Sequence, residues 1–554
     1  MFKGPAPDLQ RSHTASRYAH PSLSTLPPDV LIQIQTFLET DDIISLRKVS
    51  IILFPECLTL TVSLSFLFET SQVLCTVTKL RIVWINALRQ VCLMHGINLS
   101  TFYPLENISQ IELEHAAFSP FRFIKYATDN IPSEGVKYAT DNIPFEGDIK
   151  SVVTRILEPR LPPVIPTDED VPFDCHTLLL IPGGRFLFTD TIQHGVALWD
   201  LGIHAAIPMK LSPLAVLPTT EESFVRFTSP TPDGHGVYVC VEEQVNLYTD
   251  TRVSIYEIYP SSADVAFRLT HSLKVKGAFD NAYIYRNTLA CSHDNHLITV
   301  WDFIQNKAIS WEYNAVLRPN GVILYTDTLL LVEFGKLTVW DVPGSLYLPV
   351  SDDMGPAFIR LLPRSEINTP LPAESFRVSP PSQWLSAGQS RLPFFGLCSP
   401  TPDIEGEELD DASASMRCYT FKPVSSLSDN PELQAFDPQP VGVVNSFPIS
   451  TMSENFLRHI RFCGKSLTVA WHAGDEVNVS LMEMPQGDPD SVATLFIRRL
   501  FNNEEAVALR DFDFCPAAGR LVVTTAAGDI QIMDFLTPPT PIQVNFKISA
   551  EDHS

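Results

Sequence analysis

Residues 289–302, Leu-Ala-Cys-Ser-His-Asp-Asn-His-Leu-Ile-Thr-Val-Trp-Asp, contain two apolar runs separated by a polar Asp-Asn pair. Short runs rich in β-branched and apolar residues, with turn formers between them, are typical of antiparallel strands. The second run ends in Trp301 and Asp302. We therefore expect a β-hairpin here, with Asp294 in the turn and the Trp-Asp pair at the end of the second strand.

The same cadence recurs elsewhere in the C-terminal two-thirds of the chain. Clear copies end at Trp199-Asp200, Trp340-Asp341 and Met533-Asp534, and weaker ones end at Tyr256-Glu257 and Met482-Glu483. About 100 residues separate the first two Trp-Asp pairs and 39 separate the next two, so a divergent unit around 224–259 is needed to fill the first interval. Repetition of one supersecondary unit predicts an all-β repeat domain.

This pattern resembles the WD-repeat family of β-propellers in a degenerate form. The resemblance implies six or seven blades over residues 172–540, with strand material near 149–156 or 541–548 closing the ring. The tail 541–554 is accordingly a C-terminal extension or a closing strand. The resemblance also implies blade packing or turn-stabilising roles, rather than ligand contacts, for a set of residues: Trp199, Asp200, Asp294, Trp301, Asp302, Trp340, Asp341 and Asp534.

The cadence is lost between residues 352 and 433, which are rich in Pro, Ser and acidic residues and include the acidic run 404–411. We expect a long acidic loop that interrupts one blade. His293 and His296 flank Asp294 in a way that suggests a metal cluster, but the hairpin register favours a structural turn. We therefore expect no metal and no cofactor.

The N-terminal part has a different pattern. Residues 26–38, Leu-Pro-Pro-Asp-Val-Leu-Ile-Gln-Ile-Gln-Thr-Phe-Leu, begin with tandem prolines, which are tolerated at a helix start. Val30, Leu31, Ile34, Phe37 and Leu38 follow at helical spacing and predict an amphipathic helix. A second short helix, capped by Thr40 or Asp41, is expected to follow.

Residues 22–48 and 70–95 resemble the F-box family, in its fungal form. The resemblance rests on LPPDVLIQIQTFLETDDIISLRK and on TKLRIVWINAL, which ends the motif near Trp84. It implies a small all-α module that binds the family's adaptor protein and, through it, a cullin and a RING subunit. The residues implied to face the adaptor are Leu26, Pro27, Val30, Leu31, Ile34, Phe37 and Leu38.

The F-box-like module, residues 21–95, is interrupted by 21 apolar-rich residues, 49–69. Three explanations remain open: a membrane span over 51–68, a family-specific insertion, or a translated intron. Val49-Ser50 can be encoded by a splice-donor hexamer, and 21 codons form a 63-nucleotide in-frame insert. Pro55-Glu56 and the basic flanks argue against the span. Transcript reads across Lys48 and Thr70 would separate these explanations.

The remaining segments are a polar leader, 1–20, expected to be disordered, and a connecting segment, 96–171. The connecting segment contains a tandem 12-residue duplication, 125–148, expected in a surface loop where insertions cost little. The leader has no apolar run of the secretory type.

Composition and the absence of known motifs exclude several classes of function. The 554 residues exceed one ordinary core, and the net charge of −25 disfavours nucleic-acid binding. The ten cysteines lack CxxC spacing, which indicates reduced thiols and a cytoplasmic or nuclear protein. Phosphate-loop, dinucleotide, zinc-protease and hydrolase-elbow motifs are absent, so we expect no enzyme.

The expected function is therefore that of a non-catalytic substrate receptor in an SCF-type ubiquitin ligase, with an unidentified target bound by the propeller. Two alternatives stay open. One is a propeller scaffold that does not direct degradation. The other is a membrane-anchored interaction protein that uses residues 51–68, although membrane association is not favoured.

Overall fold

The computed structural model describes residues 26–47, 73–128, 148–157 and 175–539, the last range with gaps. The gaps are 192–193, 221–222, 246–248, 295, 314–318, 320, 334–335, 351–354, 369–375, 380–383, 385–392, 399–412, 424–435, 449–459, 464–465, 474–475, 484–494, 503–507 and 527. The chain divides into two compact units, 1–87 and 88–554. The described part of the first unit is helical, and that of the second is mostly β.

The first unit contains helices α1 (Pro28–Gln35), α2 (40–47), α3 (73–78) and the start of α4 (Arg81–His95). Helix α1 begins at a proline, whose missing N–H would have no partner in the first turn, and Asp29 complements the helix dipole there. It ends at Thr36, whose Oγ1 donates to the Gln33 carbonyl at 2.7 Å. The two helices predicted for this part of the chain are thus present.

The second unit begins with the rest of α4. The 3₁₀ turns η1 (Leu99–Phe102) and η2 (Leu105–Asn107) and helix α5 (Gln110–Thr128) follow. Helix α5 starts in a capping box, because the Ser109 N–H donates to Glu112 Oε2 at 2.7 Å and the Glu112 N–H donates to Ser109 Oγ at 3.3 Å. Much of the segment expected only to connect two domains is therefore regular structure.

Within the described residues, thirty strands form seven sheets, which we number along the chain. Sheet 1 contains β2 (Cys175–Leu180), β3 (Phe186–Thr191), β4 (Gly195–Asp200) and β5 (Ala215–Leu217). Sheet 2 contains β6 (Ser223–Pro230), β7 (Val237–Val245), β8 (Asp250–Ile258) and β9 (Arg268–Lys276). Sheet 3 contains β10 (Phe279–Tyr285), β11 (Thr288–His293), β12 (Leu297–Asp302) and β13 (Lys307–Glu312), extended by β17 (Leu348–Pro349) and β18 (Ala357–Phe358), which follow the 3₁₀ turn η3 (Gly344–Leu346).

Sheet 4 contains β14 (Gly321–Tyr325), β15 (Thr328–Glu333), β16 (Lys336–Asp341) and β19 (Ser365–Asn368). Sheet 5 contains β20 (Phe376–Ser379), β21 (Pro393–Cys398), β22 (Ser413–Pro423) and β23 (Phe436–Pro448), and sheet 6 contains β24 (Ile460–Cys463), β25 (Ser466–Ala473), β26 (Glu476–Glu483) and β27 (Leu495–Asn502). Sheet 7 contains β28 (Leu509–Cys515), β29 (Arg520–Thr525), β30 (Ile530–Asp534) and β1 (Val153–Leu157).

Each sheet has an antiparallel core of four strands, which is the strand order of a β-propeller blade. The hairpin predicted from 289–302 is β11–β12, in which Leu289 lies opposite Trp301 and His293 lies opposite Leu297. Asp294 follows β11 with φ of +52°, a conformation suited to a tight turn. The hairpin predicted for residues 289–302 is therefore confirmed.

Neighbouring sheets bury apolar side chains against one another. One cluster joins sheets 1 and 2, another joins sheets 2 and 3, and a third joins sheets 3 and 4. A fourth joins sheets 6 and 7 and includes Phe123 and Ala127 of α5. Because a blade cannot bury both its faces alone, this succession of interfaces supplies the core.

Strand β1 completes sheet 7 by pairing with β30, so that Val153 lies opposite Asp534. Of the two segments expected to supply a closing strand, the one near 149–156 pairs within sheet 7, and residues 541–554 lie outside the described residues. Sheets 1 and 7 are also in contact, because the Leu178 and Leu180 N–H groups donate to Asp511 and Asp513 at 2.7 Å each.

The stretch 352–433 differs from the expected long loop. It contains β18, β19, β20, β21 and β22, so most of sheet 5 comes from it. Its strands were missed because proline and serine hide their apolar alternation. The acidic run 404–411, the leader 1–20, the insertion 49–69 and most of the duplication 125–148 lie outside the described residues. Among the described helices, none has the length and apolarity needed to cross a membrane.

Candidate functional site

Helix α1 presents two different faces. Leu31 and Gln35, four residues apart, are buried at 1% and 2% exposure. Val30, Ile34 and Phe37 are exposed at 40%, 38% and 80%. Val30 and Ile34, four residues apart, share a face of α1, and Phe37 follows in the turn after the helix. We call these three exposed apolar side chains the α1 patch.

The residues that the F-box resemblance assigns to adaptor binding thus differ in their exposure. The α1 patch and Pro27 are available to a partner, and Leu26 and Leu38 are half-buried. Leu31 is different, because it lies in the core of the first unit and faces away from solvent. Helical spacing predicted the apolar positions but did not distinguish the face toward the unit's own core.

Trp84 anchors the first unit. It is fully buried, and its Nε1 donates to the Thr78 carbonyl at 2.8 Å. Arg47 Nη2 donates to the same carbonyl at 2.7 Å, and the Arg47 guanidinium lies 5.1 Å from the Trp84 ring centroid. Arg47 precedes the insertion 49–69 and Trp84 follows it, so the two F-box-like pieces contact each other directly.

The Trp-Asp pairs occupy one equivalent place in the second unit. Trp199, Trp301 and Trp340 lie near the ends of β4, β12 and β16, each the third strand of its sheet. All three are buried. Trp199 Nε1 donates to Thr189 Oγ1 at 2.9 Å and Trp301 Nε1 donates to Asn306 Oδ1 at 3.2 Å. These contacts are those of packing residues.

The aspartates that end these strands stabilise turns or bind arginines. Asp302 accepts from the N–H groups of Ile304 and Gln305 at 3.1 and 2.9 Å, and Arg364 donates to Asp341 at 2.6 Å. Asp200 accepts two bonds from Arg185, at 3.0 and 2.8 Å. Burial alone would raise the Asp200 pKa, but the hydrogen bonds and charge of Arg185 outweigh it and lower the pKa.

Asp534 is the centre of a buried ionic cluster that the sequence did not indicate. It accepts from Arg520 Nε at 2.6 Å and from Arg155 Nη2 at 2.8 Å. Arg520 also donates to the carbonyl oxygens of Gly184 and Gly202, the latter at 2.8 Å, and therefore joins sheet 7 to sheet 1. In the sequence, an arginine about 15 residues before the closing aspartate could have indicated such an ion pair, and Arg185 and Asp200 have the same spacing.

His293 is a structural residue. Its Nδ1 donates to the Lys276 carbonyl at 2.8 Å, and Nε2 lies 2.8 Å from Thr299 Oγ1, which therefore donates to it when the ring is neutral. Burial lowers the His293 pKa and favours that neutral ring. Both nitrogens are thus occupied, and the part of the chain that the structure describes contains no acidic, histidine and cysteine group suited to a metal.

The segment 97–128 covers one face of the second unit, which we call the covered face. The Asn98 N–H donates to Pro182 O at 3.2 Å, Arg185 Nη1 donates to Thr101 O at 3.1 Å, and Ser261 Oγ donates to Ser100 O at 2.9 Å. The contacted loops join first to second strands or third to fourth strands. In an antiparallel sheet, loops between second and third strands lie at the opposite edge.

Close packing on the covered face depends on Gly183. Its φ is +107°, and a Cβ there would lie 2.7 Å from Thr101 Cγ2. Only glycine combines that backbone conformation with so close an approach. The segment 97–128 is therefore fitted to the sheets and is part of their packing.

Comparison with known proteins identifies no family for the chain. No protein-family model matches it, and no curated protein does. Similar solved structures include the β-propeller domain of Cps50 (Swd1) from Myceliophteria thermophila, 12% identical, with a TM-score of 0.40, over 70% of this chain and 100% of that one. Another is the C-terminal WD40 domain of Sif2, 12% identical, with a TM-score of 0.37, over 67% and 98%.

Proposed function

We propose that the chain is a non-catalytic receptor subunit of an SCF-type ubiquitin ligase, in which the first unit binds the adaptor and the second unit holds a target protein. The α1 patch carries the adaptor part of the proposal. Three large apolar side chains, exposed on α1 and in the turn after it, are costly in water and are suited to a partner's groove. The contact of Arg47 with Trp84 supports treating the two F-box-like pieces as one module.

In this proposal the seven sheets are the blades of a closed ring. The contacts of sheet 1 with sheet 7 and the pairing of β1 with β30 support closure. Because segment 97–128 occupies the covered face, the target binds at the opposite face, where loops on a rigid scaffold provide specificity. The receptor would work in the cytoplasm or nucleus by raising the effective concentration of target lysines near the ubiquitin thioester.

Binding to the purified adaptor protein tests the first half of the proposal. Burial of a phenylalanine contributes roughly 1.5–3 kcal/mol, so Phe37→Ala should weaken adaptor binding roughly tenfold to hundredfold. Phe358→Ala is the matched control, because Phe358 is exposed at 60% in the second unit and should leave binding unchanged. Equal effects of the two substitutions, or no binding by the intact chain and by the chain lacking 49–69, would refute the adaptor role.

Target recruitment tests the second half. Proteins that the intact chain captures and that Phe37→Ala still captures are candidate targets, because that substitution leaves the second unit intact. Loss of the chain should stabilise such a protein in a ligase-dependent manner. Stabilisation of no captured protein would instead favour a scaffold that does not direct degradation.

A further inference from the structure

A cavity of about 780 Å³ lies on the covered face of the second unit. The end of α4, the β6–β7 turn and the β10–β11 turn form its walls, and its lining includes Arg89, Tyr103, His235, Tyr285, Arg286 and Trp384. Small-molecule sites in proteins have volumes of about 300–1,000 Å³ and are mostly apolar with a few convergent polar groups. The cavity has this size and composition.

Two arginines are among the residues that line the cavity. Arg89 and Arg286 are exposed, and neither forms an ion pair with a residue that the structure describes. The one carboxylate in the lining, Asp233, already accepts from Thr231 Oγ1 at 2.5 Å and from the His235 N–H at 2.9 Å. The lining therefore contains two arginines against one carboxylate, in a chain whose net charge is −25.

The backbone at Arg286 is strained. Arg286 and Asn287 form the two-residue turn between Tyr285 and Thr288, and φ at Arg286 is +55°. Glycine is favoured at such a position, so an arginine there costs free energy. In return its guanidinium lies 5.4 Å from the Tyr285 ring centroid, at the side of the cavity. Strain held at one residue of a cavity is a recognised sign of a functional site.

Two polar atoms of the lining also have no partner. Ser229, exposed at only 2%, has a buried Oγ with no hydrogen bond, and the Asn287 Oδ1 is likewise buried and unpaired. A buried hydroxyl without a partner costs free energy unless a ligand supplies one. Both residues line the cavity, but these two atoms are closed off from it, so a bound molecule would reach them only after a side-chain rotation.

We propose that this cavity binds a small molecule that carries an anionic group on a planar apolar ring. Arg89 and Arg286 bind the anionic group, and the rings of Tyr285 and Trp384 contact the planar part. The site is separate from the α1 patch and does not depend on a role in ubiquitin ligation.

A pair of fluorescent probes with the same ring system tests the proposal on the full chain. One probe, 1-anilinonaphthalene-8-sulfonate, is anionic, and the other, N-phenyl-1-naphthylamine, is neutral. Arg89→Ala combined with Arg286→Gly should weaken the anionic probe about tenfold and leave the neutral probe unchanged. Glycine at position 286 also removes the strain, so this variant is expected to fold. Arg360→Ala, an exposed arginine outside the cavity, is the control.

Tyr285→Ala should weaken both probes, because the ring wall contacts the part that they share. An anionic probe that binds the double variant as tightly as the intact chain would overturn the proposal. Equal weakening of both probes by the arginine substitutions would also overturn it, since charge would then play no part. Absence of saturable binding by the intact chain would do the same.

Discussion

The buried cluster around Asp534 offers a sharp test of how sheets 1 and 7 are joined. Arg520 is exposed at 1%, and it binds Asp534 and the carbonyl oxygens of Gly184 and Gly202. The substitution Arg520→Met keeps an unbranched side chain of similar length and removes every one of these hydrogen bonds. Asp534 retains Arg155, so its charge is not left alone.

The expected loss of stability follows from the groups that Arg520 binds, which lose a hydrogen-bond donor in the variant. Breaking a buried ion pair costs about 3–5 kcal/mol when one charge is uncompensated, and the remaining Arg155 places this case at the lower end. The two carbonyl oxygens, left without a donor, add about 1 kcal/mol each. We therefore expect Arg520→Met to lower the free energy of unfolding of the second unit by roughly 5 kcal/mol.

Urea unfolding followed by tryptophan fluorescence measures this change, because Trp199, Trp301, Trp311 and Trp340 all lie in the second unit. Arg364→Met is the matched control. Its carboxylate partner, Asp341, is 54% exposed, so that pair should contribute less than about 1 kcal/mol. If the two variants shift the unfolding transition equally, Arg520 does not hold sheet 1 to sheet 7 as we infer.

Three further outcomes are expected. Gly183→Ala should destabilise the second unit by at least about 2 kcal/mol and increase amide exchange in segment 97–128. The control, Gly234→Ala, changes a turn glycine with open space around it and should cost about 1 kcal/mol. Equal costs would contradict the close packing of Gly183 against Thr101. Burial lowers the His115 pKa to about 4, so below pH 6.5 the unfolded chain binds a proton there that the folded chain does not. His115 should therefore contribute about 2 kcal/mol to the loss of stability from pH 7 to 5, measured as the difference between the intact chain and His115→Gln, and identical profiles would exclude it. Deletion of 49–69 should leave the Arg47–Trp84 contact in place. In a fragment of residues 1–95, where Trp84 is the only tryptophan, the deletion should leave the fluorescence spectrum unchanged. A change in that spectrum would show that the insertion contributes to the fold.

Strands were predicted most accurately where apolar and polar residues alternate and a Trp-Asp pair ends the strand. The Trp-Asp pairs at Trp199, Trp301 and Trp340 each lie near the end of a third strand. Sheet 5 was missed because its strands arise from a stretch rich in proline and serine, where pairing across the sheet decides the structure and local pattern does not.

The candidate sites were less predictable, since they depend on which face meets which neighbour. Helical spacing grouped Leu31 with Ile34, whereas the structure buries the first and exposes the second. Arg520 reads as a surface residue in sequence, and only the adjacent sheet turns it into a buried one. The cavity joins residues nearly 300 positions apart, from Arg89 to Trp384, which no local pattern reveals.

The contact between Arg47 and Trp84 has a consequence for how this gene can vary. Arg47, just before this stretch, donates to the Thr78 carbonyl of α3, just after it, so the helices on either side are in contact. Lengthening a closed excursion from about 4 to about 25 residues costs only about 1.6 kcal/mol of closure entropy. Chains with and without residues 49–69 should therefore differ little in the stability of the first unit.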